Sequence, residues 1–376
     1  MGNKLRLMTI LGTRPEIIRL SEVIKSADKY FDHILVHTGQ NYDYELNQIF
    51  FDELGLRKPD LYLACAGNDL GETMGQIIAK SYAALRDQHP DALLVLGDTN
   101  SALSAIAAKR LKIPIFHMEA GNRCWDWNVP EMVNRKIVDH IADINLPYTE
   151  HARRYLLGEG VDGKTIFVTG SPMREVLELH RKSINCSDVL DRIQLTAGKY
   201  ILLSAHREEN IDKEANFLSL MGAVNSIAEH YQMPVIYSTH PRSRNFIKKR
   251  NFRFHPLVRN LKPFGFLDYN KLQMNAYCVI SDSGTLSEES ALLGFPAVLI
   301  RTSTERPEVL DKGCITIGGI RETDIMQAME MSVNMKEERE QQIIPDDYVD
   351  CNVSTKVVRI IQSYTDIVRR TVWLQN

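Results

Sequence analysis

The stretch LRLMTILGTRPEIIRLSEVIKS, residues 5–26, decides the fold class of this chain. Residues 5–11 form a mostly apolar run that predicts a buried strand, whereas residues 16–26 have the apolar spacing of an amphipathic helix. Gly12 permits a tight turn between them, and Pro15 suits the first position of a helix. The stretch is therefore a strand–turn–helix unit, and parallel sheets are built from repeats of such a unit.

The same alternation of short strands and longer helices continues along the chain, which predicts an α/β fold with two Rossmann-like doubly wound domains. Charged and turn-rich residues between 171 and 199 mark the boundary, so we expect an N-terminal domain over 1–172 and a C-terminal domain over 195–354. Further helices are predicted at 70–86, 101–110 and 131–141, and further strands at 34–37, 93–96, 115–118, 144–147, 166–169, 200–205, 235–238, 278–281, 298–301 and 314–317.

Length and composition exclude several classes of protein. The chain has 376 residues, enough for two domains at roughly 150 residues each. Lys and Arg total 45 against 48 Asp and Glu, and a net charge of -3 offers no basic surface for nucleic acid. Apolar runs are far shorter than the roughly 18 residues of a membrane span, and the first residues do not resemble a signal peptide. Because no Cys-x-x-Cys pair suggests a metal or redox centre, we expect a cytoplasmic protein without metal or cofactor.

Ligands of doubly wound sheets bind outside the carboxyl ends of the strands, so the residues that follow each predicted strand are the candidates for a site. After the first strand, the amides of the new helix can hold a phosphate with help from Arg14 and Arg19. The alternative is an ordinary strand-to-helix turn with two solvated arginines.

Three carboxylates follow the next predicted strands of the first half. Asp98 and Glu119 each end an apolar run, and Glu131 begins a helix. Carboxylates that converge at strand ends can build an acid/base site without a metal. The alternative is that Asp98 and Glu131 only cap helices or lie in their first turns, whereas Glu119 opens no obvious helix.

The second half has a different set of residues at its strand ends. His206 follows one predicted strand, and Ser283, Gly284 and Thr285 turn another into a helix. The amides of these small residues can approach a diphosphate, and acids one turn later can bind ribose hydroxyls. A single histidine at a strand end is more often a hydrogen-bonded core residue than a catalyst, and His206 is a candidate because it belongs to this larger set.

Eight motifs occur in the order in which the non-hydrolysing UDP-sugar 2-epimerases carry them, and the resemblance spans residues 12–313. It implies a glycosyltransferase-B-like pair of Rossmann-like domains that face a central cleft, a C-terminal helix at about 355–376 that packs back on the first domain, and a homodimer. The motifs are Gly-Thr-Arg-Pro-Glu (12–16), His-Thr-Gly-Gln (37–40), Gly-Asp-Thr (97–99), Glu-Ala-Gly (119–121), Pro-Glu-x-x-Asn-Arg (130–135), His-Arg-x-Glu-Asn (206–210), Ser-Asp-Ser-Gly (281–284) and Thr-Glu-Arg-Pro-Glu (304–308).

The resemblance also implies a role for each matching residue. It makes Asp98, Glu119, Glu131 and His206 catalytic, and it assigns no metal ligand. The family has an aromatic residue near the nucleotide, and the matching segment of this chain is 263–269. The residues that it implies for binding of the UDP-sugar are Arg14, Arg19, Phe264, Tyr269, Ser283, Gly284, Thr285, Glu289 and Arg306.

Within the family, the chain is most similar to the capsule and O-antigen enzymes that convert UDP-2-acetamido-2,6-dideoxy-β-L-talose to UDP-N-acetyl-L-fucosamine. The similarity lies in residues 121–131 and 283–289, where UDP-N-acetylglucosamine 2-epimerases typically have Gly-Leu-Arg-Thr-Gly-Asp and Ser-Gly-Gly. It implies an isomerase that eliminates UDP to a 2-acetamido glycal and adds it back. Three alternatives stay open: an epimerase that forms UDP-N-acetylmannosamine, a glycosyltransferase of the same fold, and a nucleotide-sugar-binding regulator.

Overall fold

The computed structural model of the chain describes residues 4–40, 44–127, 129, 131–338 and 343–375. The chain divides into two compact units, Met1–Leu179 with Asp347–Asn376, and His180–Asp346. The division falls inside the segment 173–194 that the sequence leaves between the two expected domains. Residues 347–354, which we expected in the second domain, group with the first unit, because Ser171 N donates a hydrogen bond of 3.0 Å to Asp347 O.

The first unit is built on six strands: β1 (Arg6–Leu11), β2 (Asp32–His37), β3 (Leu61–Tyr62), β4 (Ala92–Leu96), β5 (Ile115–Met118) and β6 (Ile144–Leu146). They form one parallel sheet in the order β3-β2-β1-β4-β5-β6. Its helices are α1 (Arg14–Tyr30), α2 (Tyr44–Glu53), α3 (Leu70–Gln88), α4 (Ser104–Arg110), α5 (Glu131–Ile141), α6 (Glu150–Gly158) and the first part of α7 (Met173–Cys186).

The second unit repeats this arrangement with β7 (Ile201–Ser204), β8 (Val235–Ser238), β9 (Val258–Leu261), β10 (Cys278–Ser281), β11 (Ala297–Leu299) and β12 (Thr316–Ile317). The parallel order is β12-β11-β10-β7-β8-β9, so its first and fourth strands are also neighbours at the centre. Its helices are α8 (Val189–Arg192), α9 (Glu208–Ile211), α10 (Glu214–Tyr231), α11 (Pro241–Lys249), α12 (Phe266–Asn275), α13 (Thr285–Leu293), α14 (Pro307–Asp311) and α15 (Glu322–Glu338). The predicted α/β fold with two doubly wound domains is confirmed.

Central strands agree best with the sequence prediction, since parallel strands covered on both faces are continuous apolar runs. Every residue of β4 is at most 3% exposed. The sequence prediction missed β3 and β9, which are edge strands with partly exposed residues. An edge strand needs less apolar surface, and its pattern in the sequence is therefore weaker.

The predicted strand at 166–169 is wrong. Within this segment only Ile166 forms a ladder bridge, to Asn145 of β6. Backbone amides of Phe167 and Thr169 donate to the carbonyls of Asn145 and Pro147, each at 3.0 Å. The segment therefore follows the edge of the sheet through hydrogen bonds without continuing as a regular strand.

The last helix, α16 (Val353–Thr371), packs on α1 of the first unit. Its buried face includes Val357, Ile361 and Val368. The Glu175 carboxylate of α7 accepts hydrogen bonds from Ser354 N (2.8 Å) and Ser354 Oγ (2.5 Å), so it satisfies an amide in the first turn of α16. In the part of the chain that the structure describes, no helix combines the length and the apolar content that crossing a bilayer requires.

We expect Ile361→Ala to lower the free energy of unfolding of the first unit by about 2–5 kcal/mol, because it leaves a cavity where a fully buried side chain packs. Denaturant unfolding followed by tryptophan fluorescence measures the change. The matched control is Ile367→Ala on the same helix, since Ile367 is 47% exposed. Equal losses in the two variants would contradict the packing of α16 on α1.

Candidate active site

The loop after β1 positions the first group of predicted site residues. Thr13 has extended backbone angles before α1 begins at Arg14, and the Arg14 guanidinium lies 5.9 Å from the centre of the Phe50 ring. A Cβ added to Gly12 would lie 2.0 Å from Thr38 Oγ1, so only glycine fits this close approach. The loop between β1 and α1 is therefore closely packed at the carboxyl end of β1, where the N-terminus of α1 lies.

Glu16 ties this loop to the one that follows β4. Its fully buried carboxylate accepts hydrogen bonds from Gly12 N (3.0 Å), from Thr13 Oγ1 (2.7 Å) and from the Ser101 hydroxyl. Burial raises the pKa of Glu16 to about 7, although the hydrogen bonds from Ser101, Thr13 and Gly12 partly offset the effect of desolvation. The two central loops of the first unit thus meet at one buried carboxyl group.

Asp98 follows β4 and is held by two residues of α5. Arg135 Nε lies 2.7 Å and Nη2 lies 2.5 Å from Asp98 Oδ2, and the arginine is 5% exposed. Asn134 Nδ2 donates to the Asp98 carbonyl at 2.9 Å and to Asn100 Oδ1 at 3.1 Å. The carboxylate is one-fifth exposed, so it is oriented by a cation and still accessible.

Glu119 follows β5, the neighbour of β4, in a strained backbone conformation. Its φ of +62° lies in the left-handed region, which is uncommon for residues other than glycine and clusters at functional sites. The carboxylate forms an ion pair with Arg19 and accepts a hydrogen bond from Asn122 Nδ2 at 3.1 Å. Arg19, predicted to bind the UDP-sugar, therefore contacts a predicted catalytic carboxylate directly.

Glu131 is the first residue of α5, partly exposed, and lies one turn before Arg135. Pro130, which belongs to the same motif, lies outside the described residues, as does Asn128. The carboxyl ends of β4 and β5 are adjacent in the sheet, and they supply Asp98 and Glu119. The first unit thus presents carboxylates beside buried arginines, an arrangement that can stabilise a cation and exchange a proton.

In the second unit, His206 follows β7 and Asp282 follows the adjacent β10. His206 Nδ1 lies 3.3 Å from Asp282 Oδ1. Desolvation of the buried Asp282 carboxyl opposes ionisation, but the charge of His206 and hydrogen bonds from His206, Arg207 and Asn210 lower its pKa to about 2. The histidine side chain is 35% exposed, so a ligand can reach it.

Ser283, Gly284 and Thr285 lie together where β10 turns into α13. Ser283 Oγ lies 3.0 Å from Thr285 Oγ1, and Gly284 precedes the first residue of the helix. A Cβ on Gly284 would lie 2.5 Å from Glu305 Oε1. Glu305 is itself held by Arg301 Nη1 at 2.6 Å and by Arg207 Nη2 at 3.5 Å. The loop keeps small residues and two hydroxyl groups at a helix N-terminus, which suits a diphosphate.

The remaining predicted binding residues surround α13 and α12. Arg306 Nη2 lies 3.3 Å from Glu288 Oε2, and both side chains are almost completely buried. Glu289 Oε2 accepts a hydrogen bond from Gln273 Nε2 at 2.6 Å. Phe264 and Tyr269 are half-buried, the first before α12 and the second in its first turn. The roles of these residues toward a ligand stay predictions.

A family model described as UDP-N-acetylglucosamine 2-epimerase matches residues 24–362. The chain belongs to this family. The resemblance that the motifs predicted is therefore confirmed at the level of the family, and so is the prediction of an isomerase, a sugar epimerase.

Three relatives show how closely the epimerase chain follows the family. The structure of UDP-N-acetylglucosamine 2-epimerase from Rickettsia bellii is 45% identical, covers 99% of this chain and 100% of its own, and superposes with a TM-score of 0.91. A crystal structure of the Methanocaldococcus jannaschii enzyme in complex with UDP-GlcNAc and UDP is 31% identical, covers 96% and 100%, and has a TM-score of 0.89. The UDP-2,3-diacetamido-2,3-dideoxy-D-glucuronate 2-epimerase of Pseudomonas aeruginosa is 31% identical over 86% of this chain and 91% of its own.

Three residues of this epimerase that hold the candidate side chains are not predicted from the sequence. Arg135, Asp282 and Glu16 lie inside the family motifs, but the motifs by themselves indicate no role for them. The available signal was their position, since each lies within four residues of a candidate. Their contact partners follow strands that are far apart in the sequence and adjacent in the sheet. Only the structure therefore shows which residues they contact.

The buried carboxyl of Glu16 predicts a pH dependence of stability. Its pKa rises from 4.5 to about 7 on folding, so the folded state binds the proton more tightly than the unfolded state. The contribution of Glu16 to stability is therefore fully present below pH 4.5 and is lost as pH rises through 7, with a slope of at most about 1.4 kcal/mol per pH unit. We expect this fall in the wild type but not in Glu16→Gln, in unfolding titrations from pH 4.5 to 8.

Glu22→Gln on the same helix is the control for that titration, since Glu22 is paired with Lys25 at 2.7 Å. Its stability curve should run parallel to that of the wild type. A Glu16→Gln curve with the wild-type slope would show that the buried carboxyl does not titrate in this range.

Gly284→Ala should weaken binding of UDP at least tenfold, because the added Cβ and the Glu305 carboxylate cannot occupy the same space in the predicted phosphate loop. Isothermal titration calorimetry with UDP measures the loss. Gly222→Ala on α10 is the control, as its Cβ would meet nothing within 4 Å. Unchanged affinity in Gly284→Ala would place the diphosphate away from this loop.

Proposed function

We propose that the chain epimerises C2 of UDP-2-acetamido-2,6-dideoxy-β-L-talose to give UDP-N-acetyl-L-fucosamine. The observation that carries the epimerase chemistry is the pair of carboxylate–arginine contacts at the ends of β4 and β5, Asp98 with Arg135 and Glu119 with Arg19. Membership of the family supports the UDP-sugar and the C2 position. The particular sugar is carried by the sequence alone.

The C2 hydrogen of such a sugar is not adjacent to a carbonyl, so a carboxylate cannot remove it without prior activation. Departure of UDP from C1 creates oxocarbenium character, which makes the C2 hydrogen acidic. Loss of that proton gives a 2-acetamido glycal. Reprotonation of C2 on the opposite face and return of UDP to C1 complete the inversion, and every atom of the UDP-sugar is conserved.

In this proposal the carboxylates of the first unit act on the sugar. Asp98, Glu119 and Glu131 stabilise the positive charge at C1 and exchange the proton at C2. Arg135 and Arg19 keep the first two carboxylates oriented, so their oxygens need no reorganisation when charge develops. Arg14, on the loop after β1, contacts the diphosphate.

In this proposal the second unit binds the UDP group. Ser283, Gly284 and Thr285 bind the diphosphate at the start of α13, and His206 stabilises it as it departs. Glu289 binds the ribose, and Arg306, Phe264 and Tyr269 complete the nucleotide site. The M. jannaschii relative, whose fold this chain shares, was crystallised with UDP-GlcNAc and UDP, which supports a UDP-sugar ligand here.

The identity of the sugar rests on departures from the usual pattern of UDP-N-acetylglucosamine 2-epimerases. This chain has Asn122 and Trp125 in the segment that follows β5, Thr285 in the phosphate loop, and Arg19 where those enzymes have Lys. Relatives of this chain are named for different sugars, including a diacetamido-glucuronate in P. aeruginosa. The proposal includes a homodimer and a place in capsule or O-antigen polysaccharide synthesis, both of which rest on the resemblance.

Incubation of the protein with each candidate UDP-sugar in deuterated water tests the function. NMR follows the reaction. We expect deuterium at C2 and a mixture of the two C2 epimers, and we expect the 2,6-dideoxy-L-talose derivative to react fastest. UDP-N-acetylglucosamine as the faster substrate would instead make this a UDP-N-acetylmannosamine-forming enzyme. Sugar transfer to an acceptor without exchange at C2 would exclude an epimerase.

Glu119→Gln should lower the rate of deuterium exchange at C2 at least 100-fold, which is the usual size of acid/base catalysis. Asp143→Asn is the matched control, because Asp143 is an equally buried acid paired with Lys109 at 2.6 Å but lies before β6 at the opposite edge of the sheet. It should retain the wild-type exchange rate. Comparable losses in both variants would mean that Glu119 acts only through stability.

A further inference from the structure

We propose that Asp282 is a positioning residue that fixes the tautomer and the orientation of the His206 imidazole. Only the effect on catalysis rests on the proposed function, because that function gives His206 its role toward the departing UDP. The geometry itself belongs to the second unit alone and is independent of the identity of the sugar.

Asp282 lies immediately after β10, and its side chain is completely buried. One oxygen, Oδ2, accepts hydrogen bonds from His206 N (2.9 Å), Arg207 N (2.9 Å) and Asn210 Nδ2 (3.1 Å). These three donors come from the segment after β7, so the carboxylate is anchored to the backbone that carries His206. Such an anchored oxygen fixes the direction of the other.

The second oxygen, Oδ1, lies 3.3 Å from His206 Nδ1 and makes no hydrogen bond to the described residues. Because an ionised carboxylate can only accept a hydrogen bond, this buried oxygen favours the neutral imidazole tautomer that carries its proton on Nδ1. Nε2 is then unprotonated and lies at the other edge of a ring that is one-third exposed. Two ionisable groups flank the pair: Arg207, whose Nε donates to Asp282 O at 2.9 Å, and His240, whose ring centre lies 5.3 Å from that of His206.

This arrangement has a chemical consequence for a departing diphosphate. When Nε2 of the partly exposed ring takes a proton from solvent, His206 becomes an imidazolium that can donate from Nε2 to a phosphate oxygen, while Asp282 stabilises the positive charge at Nδ1. When UDP returns to C1, the proton returns from Nε2 to solvent. Without Asp282 the imidazole ring can rotate or adopt the other tautomer. Nε2 is then no longer both directed at the phosphate and free to accept a proton.

A purely structural role is the competing explanation, since Asp282 also joins the segments after β7 and β10. The two explanations differ in what Asp282→Asn does. Asparagine keeps an oxygen that can accept from the backbone amides of residues 206 and 207, and it turns an NH₂ group toward Nδ1. The imidazole must then accept at Nδ1, so its proton moves to Nε2.

The deciding experiment is ¹⁵N NMR on the full chain labelled in histidine, at a pH where His206 is neutral, with His206→Gln used to identify its signals. We expect Nδ1–H in the wild type and Nε2–H in Asp282→Asn. A wild-type His206 protonated on Nε2 would overturn the proposal by itself, even if Asp282→Asn failed to fold. The same tautomer in both proteins would also overturn it.

The second arm measures turnover of the UDP-sugar on which the wild type shows exchange at C2. Asp282→Asn should lower kcat at least tenfold and change KM less than threefold, whereas adding it to His206→Gln should change kcat less than twofold. Asp143→Asn should leave kcat unchanged. Additive losses in the double variant would assign Asp282 a structural role. If the wild type epimerises no UDP-sugar, the proposed function fails, and the tautomer measurement still decides the role of Asp282.

Discussion

Parallel pairing of the two central strands in each unit is the constraint on which the candidate site residues of that unit depend. Because β1 pairs with β4 and β7 with β10, all four strands end at the carboxyl edges of their sheets. Residues far apart in the sequence therefore meet there. Glu16 binds Ser101 across 85 residues, and His206 binds Asp282 across 76 residues. A single inverted connection in either sheet would separate these partners.

Burial of charge explains why the strand ends carry so many paired side chains. An unpaired buried ion costs several kcal/mol, so carboxylates that must lie at a covered sheet edge need cations or amide donors. Glu119 with Arg19 and Glu288 with Arg306 satisfy this requirement through ion pairs. Once satisfied, the pairs fix the direction of each oxygen, and the same contacts that make burial possible also orient the groups toward a ligand.

Two buried acids show how the partners decide the chemistry. Both Glu16 and Asp282 are completely buried, and desolvation is the largest effect on each. Asp282 faces a histidine and three N–H donors, and its pKa falls to about 2. Glu16 faces mainly hydroxyl groups and one amide, and its pKa rises to about 7. Asp282 is therefore ionised at neutral pH beside His206, whereas Glu16 titrates in the neutral range.

Agreement between sequence and structure follows the depth of burial. The strand β4, buried on both faces, was predicted within one residue of its bounds, whereas the edge strand β9 was missed because its polar residues give no apolar run. The same holds for the site. Loop residues that follow buried strands, such as Asp98 and Glu119, were identified as candidates, since the direction of the strand determines where its end lies.

The sequence by itself determined the alternation of strands and helices, the two doubly wound units and the residues that stand at the strand ends. Local apolar periodicity and turn chemistry are enough for that, because they depend on neighbours a few residues apart. Only the tertiary structure decided which arginine orients which carboxylate and that Asp282 faces His206. Those contacts join strands that are adjacent in a sheet but distant in the chain, and the order of strands is settled by the packing of the whole unit.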